Sequence, residues 1–528
     1  MLATAFWSLV VVLAPRLSLA EGEGGKSIQV EWRMSMLCEQ SGFINEALDF
    51  LVSVERRNAA ALAEDSSQSA NSPPLLDVAL TGLHGDCRGL SETMSPAHAD
   101  TLLRLRAIDQ GVPRLGETGS VEGYADGETG GVQHSSCMLS YIEEEGAYGY
   151  LCDRHMSGED GAALPRKVTL QSKRVAVEHG FACAVRKRGK FNRTVFETNF
   201  GSRPDVVVAR CMSESSEISA KEKKCLAEAG ADELWVPTKW HAEIYRAASV
   251  GIMDPERIVV VPEIVDVDFF ARSMVPPPPP PPQPDQQKQQ GDKAPFVFFS
   301  VFKWEWRKGW DVLLLAYWKA FYGKGDAPRN DVLLRIKTFR PQVGLLKGVF
   351  AESSNGDTVD EEISAFAEGL MGEPRSQLPP VEVITEFITR EQLRDMYADA
   401  DVFVLPTRGE GWGLPIVEAM AMELPVIVTN YSGPTEYLTE ENSFPLRLDG
   451  IDRGFAMPSV KALIESMRLC ADQPELAKAK GQQAVVDMRA KYSSEVLGKA
   501  ITARLGYLAQ SLESTGDLTI PGAALPQS

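Results

Sequence analysis

The chain has 528 residues, with 73 acidic and 54 basic side chains and a formal net charge of −19 at pH 7. A chain of this length predicts two domains, each with its own core. The acidic excess argues against a nucleic-acid partner or a broad anionic-membrane surface, because phosphate binding needs clustered Lys and Arg. A small basic pocket is still compatible with this charge.

The N-terminal residues predict a leader. Residues 2–15 form an apolar stretch that is too short to span a bilayer, and Ser18-Leu19-Ala20 resembles a small-x-small cleavage site. We therefore expect a signal peptide over residues 1–20, a location in the secretory pathway lumen (ER or Golgi) or secretion, and no transmembrane segment after cleavage. No Lys or Arg precedes the apolar stretch, so a plastid-type leader is an alternative.

The eight cysteines have no metal-ligand spacing, and seven of them lie before residue 226. In a luminal protein some of these seven could form disulfides, and buried free thiols are the alternative.

A run of seven prolines at 276–282, followed by Gln-rich sequence, marks the clearest boundary. Such a run adopts extended polyproline II and separates folded units as a semi-rigid spacer. We therefore predict a first domain over 21–270, a linker over 271–295, a second domain over 296–512 and a tail over 513–528. The polar stretches 64–74 and 116–131 read as disordered inserts in the first domain.

The second domain alternates strand and helix patterns. A helix is expected to begin after Thr389, because Gln392 completes a capping box. Pro415 suits the first turn of a later helix. Repeated βα units imply a parallel, doubly wound sheet. The predicted strands are 296–301, 332–336, 381–384, 402–405 and 426–429.

The first domain has a weaker pattern of the same kind. Residues 28–32, 233–236 and 258–261 read as strands, and 43–52 carry a helical apolar stripe. The predicted fold class is therefore α/β, with two doubly wound Rossmann-like domains that face a central cleft. Ligands of such sheets collect at the carboxyl ends of the strands.

The strongest motif is residues 407–418, which join a buried strand to a helix. Glycines in the loop, among them Gly411 and Gly413, let the backbone approach a ligand closely, and the helix that starts near Leu414 presents N–H groups to a pyrophosphate. Glu418, one turn into that helix, could accept hydrogen bonds from a ribose diol. Glu410 in the loop could hold sugar hydroxyls.

Three cations follow the first strand of the second domain: Lys303, Arg307 and Lys308. Breaking the bond between a sugar and a nucleoside diphosphate leaves negative charge on the phosphate, which a fixed Lys or Arg stabilises. The same edge of the sheet carries the Glu410 loop, so we expect these cations to face the same cleft.

Residues 296–448 resemble the donor-binding domain of glycosyltransferase family 4, whose members are retaining enzymes of GT-B fold. The resemblance implies that Lys308 contacts the donor diphosphate and that main-chain groups near Phe387 and Ile388 read the base. At the position of a family arginine this chain has Phe302, and Lys303 or Arg307 could replace it. The matching residues are 307–309 with the helix 311–320, then 398–402, 410–418, 424–427, Thr429 and 432–436.

In the first domain the resemblance covers residues 195–198 and 232–238, with Trp240, His241 and residues 265–266 after them. It implies an acceptor-side domain before the linker and a donor domain after it. The predicted catalytic residues are Glu410, Lys308 and His134. The predicted donor-binding residues are Lys303, Arg307, Lys308, Ile388, Gly411, Gly413, Leu414, Pro415, Ile416 and Glu418. The predicted acceptor-side residues are Gly42, Thr238 and His241.

Asp266-Val267-Asp268 resembles the metal-binding Asp-x-Asp of the other glycosyltransferase fold. Because the cationic motif already supplies positive charge, we favour metal independence, expect no cofactor and assign Asp266 to the hinge between the domains.

Together these features predict a metal-independent glycosyltransferase. It would move a sugar from a nucleotide-sugar donor to a glycan, protein or lipid acceptor with retention of configuration. The alternative is a non-catalytic carbohydrate- or nucleotide-binding protein that kept the GT-B fold. The residues leave the sugar, the base and the acceptor open.

Overall fold

The computed structural model describes residues 206–229, 231–275, 294–322, 329, 331–340, 359–386 and 388–515. In the first 180 residues it describes 9–11, 28–36, 50, 52–54, 76–83, 124–125, 132–133, 137–142, 147–152 and 173–179. The proline run, Gly42, His134 and Phe387 lie outside the described residues.

The first domain contains a sheet whose central strands are all parallel. Its strands are β1 Leu9–Val11, β2 Ile28–Met36, β3 Leu76–Leu83, β8 Lys173–His179, β9 Val206–Arg210, β10 Glu233–Val236 and β11 Ile258–Val260. The order is β11-β10-β9-β8-β2-β3, and β1 pairs antiparallel with β8. Strand β1 lies within residues 1–20, the predicted signal peptide, so cleavage there would remove it from the sheet. Its helices include α1 Ala220–Ala229 and α2 Lys239–Ala248, and residues 50 and 52–54 are also helical. Two separate hairpins are β4 Tyr124–Ala125 with β5 Val132–Gln133, and β6 Cys137–Ile142 with β7 Ala147–Cys152.

The second domain contains a six-stranded parallel sheet in the order β14-β13-β12-β15-β16-β17, followed by the hairpin β18-β19. Its strands are β12 Phe296–Lys303, β13 Val332–Phe339, β14 Val381–Ile384, β15 Val402–Leu405, β16 Val426–Thr429, β17 Phe444–Leu446, β18 Leu448–Asp452 and β19 Phe455–Pro458. Its helices are α3 Trp310–Phe321, α4 Val359–Met371, α5 Arg390–Ala398, α6 Leu414–Ala421, α7 Val460–Asp472, α8 Pro474–Tyr492 and α9 Ser494–Thr515.

These sheets confirm the predicted α/β class with two parallel sheets. Strands β10, β14, β15 and β16 have the predicted bounds, while β12 and β13 run further, to Lys303 and Phe339. The capping box at α5 is also confirmed, since Thr389 Oγ1 accepts from the Gln392 N–H and Gln392 Oε1 accepts from the Thr389 N–H.

Strand order in the second sheet reverses between β12 and β15, which are neighbours in space but distant in the chain. A parallel sheet has a crevice at such a point, outside the carboxyl ends of the two strands. The residues that follow β12 and β15 are the cationic segment and the Glu410 loop. The topology therefore places both predicted motifs at the same crevice.

The C-terminal helices join the two domains. The backbone N–H of Val265 donates to Tyr492 O at 2.8 Å. On α9, the buried Arg504 pairs with the buried Glu233 of β10. One apolar cluster accordingly contains residues of both domains, such as Trp235 and Phe298. The predicted second domain ends at 512, yet α9 packs on the first domain and continues to Thr515. In the part of the chain described here, no helix is long and apolar enough to cross a membrane.

Candidate functional site

The segment after β12, residues 304–309, forms the β12 turn. It contains a 3-10 turn over Trp306–Lys308 and ends at Gly309, whose φ of 72° is left-handed. A Cβ at Gly309 would lie 2.0 Å from Pro406 O, so only glycine lets this turn pack against the end of β15. The turn thereby brings Arg307 and Lys308 beside the β15 loop, residues 406–413.

Glu410 is the carboxylate of the β15 loop, and it is buried, with 5% of its surface exposed. Lys308 Nζ lies 2.7 and 2.8 Å from its two carboxylate oxygens, and Thr407 Oγ1 donates to it at 2.9 Å. Its backbone N–H donates to Ser432 Oγ at 2.9 Å. Burial favours the neutral acid, but Lys308 and Arg307 outweigh it and lower the pKa of Glu410. The site therefore holds an ionised carboxylate directly against a lysine.

Arg307 is the second cation of the site. It donates to Gly409 O at 2.6 Å and lies 2.9 Å from Glu214 Oε1, 3.4 Å from Glu305 and 3.6 Å from Glu410. Burial works against its charge, but Glu214, Glu410 and Glu305 raise the pKa of Arg307. Burial and the charge of Arg307 lower the pKa of Lys308. The two cations thus repel each other, and both are stabilised by the carboxylates around them.

Glu214 is a site residue that the sequence analysis missed. It lies in the β9 loop, residues 211–217, which crosses from the first domain to the β15 loop. A Cβ at Gly409 would lie 2.0 Å from Glu214 O, and one at Gly411 would lie 2.4 Å from Met212 Sδ. At Gly411 the Met212 side chain of the first domain occupies the space that a Cβ would fill, and the donor-binding role of Gly411 stays a prediction. The available signal was the apolar run 206–208, which marks the strand before this loop.

Helix α6 begins at Leu414, as predicted. Gly413 precedes it with φ 98° and ψ 57°, a left-handed conformation that glycine adopts without strain. The N–H groups of Ile416 and Val417 bond to Gly413 O, and Pro415 occupies the first turn. The positive end of the α6 dipole is therefore fixed at the carboxyl end of β15.

Glu418 lies in the second turn of α6 and is half-buried. The hydroxyl of Tyr397 donates to Glu418 Oε2 at 3.0 Å and contacts Pro415 O at 3.2 Å. Tyr397 itself is buried on α5. A tyrosine from the neighbouring helix thus orients the carboxylate that the sequence assigns to a ribose.

The chain beside Glu410 is stiffened by Arg408, which the sequence analysis also missed. Its guanidinium makes two bonds of 2.8 and 2.7 Å to Asp311 on α3 and donates to Trp306 O at 2.6 Å. It also stacks over the Trp306 ring, 4.3 Å from the centroid. A bidentate pair of this kind fixes the β12 turn and the β15 loop relative to each other.

Two predicted donor residues lie at the edge of this arrangement. Lys303 is the last residue of β12, and no described residue forms an ion pair with it; Ile388 is half-buried between β14 and α5. Phe302, at the position of the family arginine, is 4% exposed and stacks with Trp304 in the core. Of the two candidates to replace that arginine, Arg307 is the one that reaches Glu410.

The predicted acceptor-side residues Thr238 and His241 are fully buried and have structural partners. Thr238 caps α2, and its hydroxyl lies 2.7 Å from His241 Nδ1. His241 Nε2 lies 2.7 Å from Ser213 O, which can only accept, so Nε2 carries the proton. Burial lowers the pKa of His241 to about 3, so the ring is neutral. Thr238 thus has the role of a helix N-cap, and His241 holds the β9 loop through Ser213; an acceptor-side role for either stays a prediction.

The Asp-x-Asp segment after β11 faces arginines. Asp266 lies 3.8 Å from Arg390 and Asp268 lies 3.9 Å from Arg489, both from the second domain. Asp266 Oδ1 also accepts the N–H of Phe269. These contacts cross between the domains, in keeping with the hinge that the sequence analysis assigned to Asp266.

Known proteins match part of this chain. Residues 381–485 match the sequence profile of glycosyl transferases group 1. TuaC of Bacillus subtilis (strain 168), named as a teichuronic acid biosynthesis glycosyltransferase, is 33% identical over 88 residues. That match covers 16% of this chain and 22% of TuaC, so the chain spans about a fifth of this relative.

Solved structures also resemble the chain. HepE of Anabaena, solved with UDP and glucose, is 15% identical, covering 57% of this chain and 72% of HepE, with a TM-score of 0.42. OtsA is 13% identical, covering 62% and 70% of the two chains, with a TM-score of 0.44.

The matched segment contains the β15 loop, Glu410, α6 and Glu418, and the β12 turn packs directly on it. The match to glycosyl transferases group 1 therefore lies on the segment that carries Glu410 and Glu418.

Proposed function

We propose that this protein is a glycosyltransferase that takes a sugar from a nucleotide-sugar donor bound in the second domain. The acceptor would approach from the first domain and is a glycan, a protein or a lipid. The proposal extends the family match of residues 381–485 to the whole chain. A non-catalytic binding protein with the same fold is the competing function.

One observation carries the proposal: Lys308 and Glu410 meet at 2.7 Å where the strand order reverses. Arg307 lies beside them, and α6 begins at the same edge of the sheet. Two cations and a helix N-terminus suit a diphosphate, while Glu410 and Glu418 supply acceptors for hydroxyl groups. The arrangement thus matches both ends of a sugar nucleotide.

Lys308 and Arg307 would stabilise the charge that grows on the departing diphosphate, because a fixed cation needs no reorganisation at that moment. Both oxygens of Glu410 lie on Lys308, so this carboxylate is engaged rather than poised to attack an anomeric carbon. We therefore propose that the departing diphosphate takes the proton of the acceptor hydroxyl on the same face. Retention of configuration follows from that geometry.

Metal independence is part of the proposal. Its support is that Arg307 and Lys308 place two cations beside the proposed diphosphate position, where a metal would otherwise neutralise the phosphates. Donor hydrolysis should then be unchanged after exhaustive treatment with EDTA. Loss of activity that Mg²⁺ or Mn²⁺ restores would reject this part alone.

A luminal location also remains a proposal, supported by the apolar residues 2–15 and the Ser18-Leu19-Ala20 sequence. Fusing residues 1–25 to a reporter protein tests it. Entry of the reporter into the secretory pathway is expected, and import into plastids would favour the alternative leader.

Donor turnover tests the central proposal. A thermal-shift screen with UDP, GDP and ADP should identify one nucleotide that raises the melting temperature, because it binds only the native state. Sugars carried by that nucleotide are then assayed for hydrolysis, and NMR identifies the first anomer released. Retention predicts the anomer of the donor. Saturable binding without any turnover would favour the binding protein, and absence of both would reject the proposal.

A further inference from the structure

The site has more negatively charged than positively charged side chains. Two cations, Arg307 and Lys308, face three carboxylates, Glu214, Glu305 and Glu410, all within 3.6 Å of one cation or the other. A nucleoside diphosphate would add about two further negative charges at the same place. Like charges at close range cost several kcal/mol. One of the three carboxylates must therefore leave its cation when the donor binds.

The three carboxylates are held to different degrees. Glu410 has both oxygens on Lys308 and a third bond from Thr407, and it is nearly fully buried. Within the described part of the chain, Glu214 has one ion pair, to Arg307 at 2.9 Å, and 32% of its side chain is exposed. The side chain of Glu214 can therefore rotate into water, whereas that of Glu410 cannot. Burial raises the pKa of Glu214, whereas Lys308 and Arg307 lower that of Glu410, so the cations stabilise the ionised form of Glu410 more than that of Glu214.

Glu214 also differs from Glu305 in origin. Glu305 belongs to the β12 turn, as Arg307 does, and its contact is longer, at 3.4 Å. Glu214 comes from the first domain on the β9 loop. His241 donates to Ser213 O at 2.7 Å, and the Ser216 N–H donates to Gly454 O at 3.0 Å. These two hydrogen bonds hold the loop so that the Glu214 carboxylate lies against the guanidinium of Arg307.

We propose that Glu214 is an intramolecular competitor of the donor: its carboxylate occupies the anion position on Arg307 and is displaced by the diphosphate. The proposal rests on the function proposed above and deepens it, because Glu214 would set the affinity for the donor. It also makes donor binding break a contact between the domains.

Binding of UDP, GDP and pyrophosphate, measured by calorimetry, tests this at about 0.15 M ionic strength. Glu214→Gln should tighten the Kd of the nucleotide that binds, and of pyrophosphate, by about fivefold or more, because it removes the competing charge. Glu305→Gln is the matched control, since it removes the same charge from the same guanidinium within the second domain. The gain in affinity from Glu305→Gln should be less than about half of the gain from Glu214→Gln. The Glu214→Gln gain should vanish in an Arg307→Ala background.

The outcomes separate the competitor from the enzyme. Equal affinity of wild type and Glu214→Gln, equal gains in both glutamine variants, or a gain that survives Arg307→Ala would each overturn the competitor. Tighter pyrophosphate binding without any nucleotide binding would support the competitor and reject the proposed function. Failure of all three probes to bind any variant would overturn both.

Discussion

The β15 loop and the β9 loop meet at Arg307 but are held in different ways. The β15 loop is held by Lys308, Thr407 and Ser432, all within the second domain. The β9 loop is held by His241 from its own domain and by contacts to the second domain, at Arg307 and Gly454. The first loop therefore depends on one sheet, and the second depends on how the two domains are joined.

The largest expected effect comes from separating the domains at α9. Arg504→Met would leave the carboxylate of Glu233 buried with only the Trp235 Nε1–H as its described partner at 2.8 Å. Breaking one side of a buried ion pair costs about 3–5 kcal/mol. The free energy of unfolding should fall by that amount in urea titrations, and protease should cleave the β9 loop faster.

The matched control is Arg453→Met, which removes an arginine from an exposed pair with Asp452 and should cost less than about 1 kcal/mol. If Arg504→Met were as stable as Arg453→Met, the β9 loop would not depend on α9 and the contrast between the two loops would fail.

A second prediction concerns the β15 loop alone. Lys308→Met removes the cation that contacts both oxygens of Glu410, and with it the stabilisation of the departing diphosphate. Loss of one such electrostatic donor lowers kcat by about 10² to 10³-fold. We expect this loss in donor hydrolysis assayed below the melting temperature, which itself should fall because Glu410 stays buried without its closest cation. Lys319→Met, on the exposed face of α3, is the control, and hydrolysis by Lys308→Met at more than about a third of that control's rate would contradict the prediction.

The same contrast explains what the sequence could predict. Strand β15 is buried at every position, so its apolar run 402–405 is visible without any partner, and the capping box of α5 is local in the sequence. Glu214 could not be assigned to the site in this way, because its partner Arg307 belongs to the other domain. The local sequence of α9 likewise does not indicate that Arg504 pairs with Glu233.

Gly409 and Gly411 show the same limit. Their sequence pattern predicted close approach of a ligand, whereas Glu214 O and Met212 fill the space beside them. A glycine in the sequence indicates that another group packs closely against the backbone there, but it does not indicate which group. The same limit applies to His241, because its two partners, Thr238 and Ser213, become visible only in the folded chain.

Gly409→Ala would break the contact between the two loops from the second-domain side. The added Cβ would lie 2.0 Å from the backbone of Glu214, which cannot yield as a flexible side chain would. Overpacking of this kind costs about 1–3 kcal/mol. We expect that loss of stability together with faster hydrogen exchange in the β9 loop. Gly450→Ala, whose nearest atom is 3.8 Å away, should change neither, and equal exchange in both variants would show that the loops are not coupled.

The smallest expected effect isolates the first-domain support of the β9 loop. His241 is neutral when folded, with a pKa of about 3, and has an ordinary pKa of about 6.5 when unfolded. The unfolded chain therefore binds a proton that the folded chain does not, so stability falls as the pH drops below about 6.5. Between pH 7 and pH 5.5 this linkage removes about 1 kcal/mol. His241→Gln keeps a donor for Ser213 O but cannot titrate, so its stability should fall less over this interval by that amount. Parallel pH profiles of the two proteins would mean that the pKa of His241 is the same in the folded and the unfolded chain. In that case something other than a buried neutral imidazole would hold Ser213 and the Glu214 beside it.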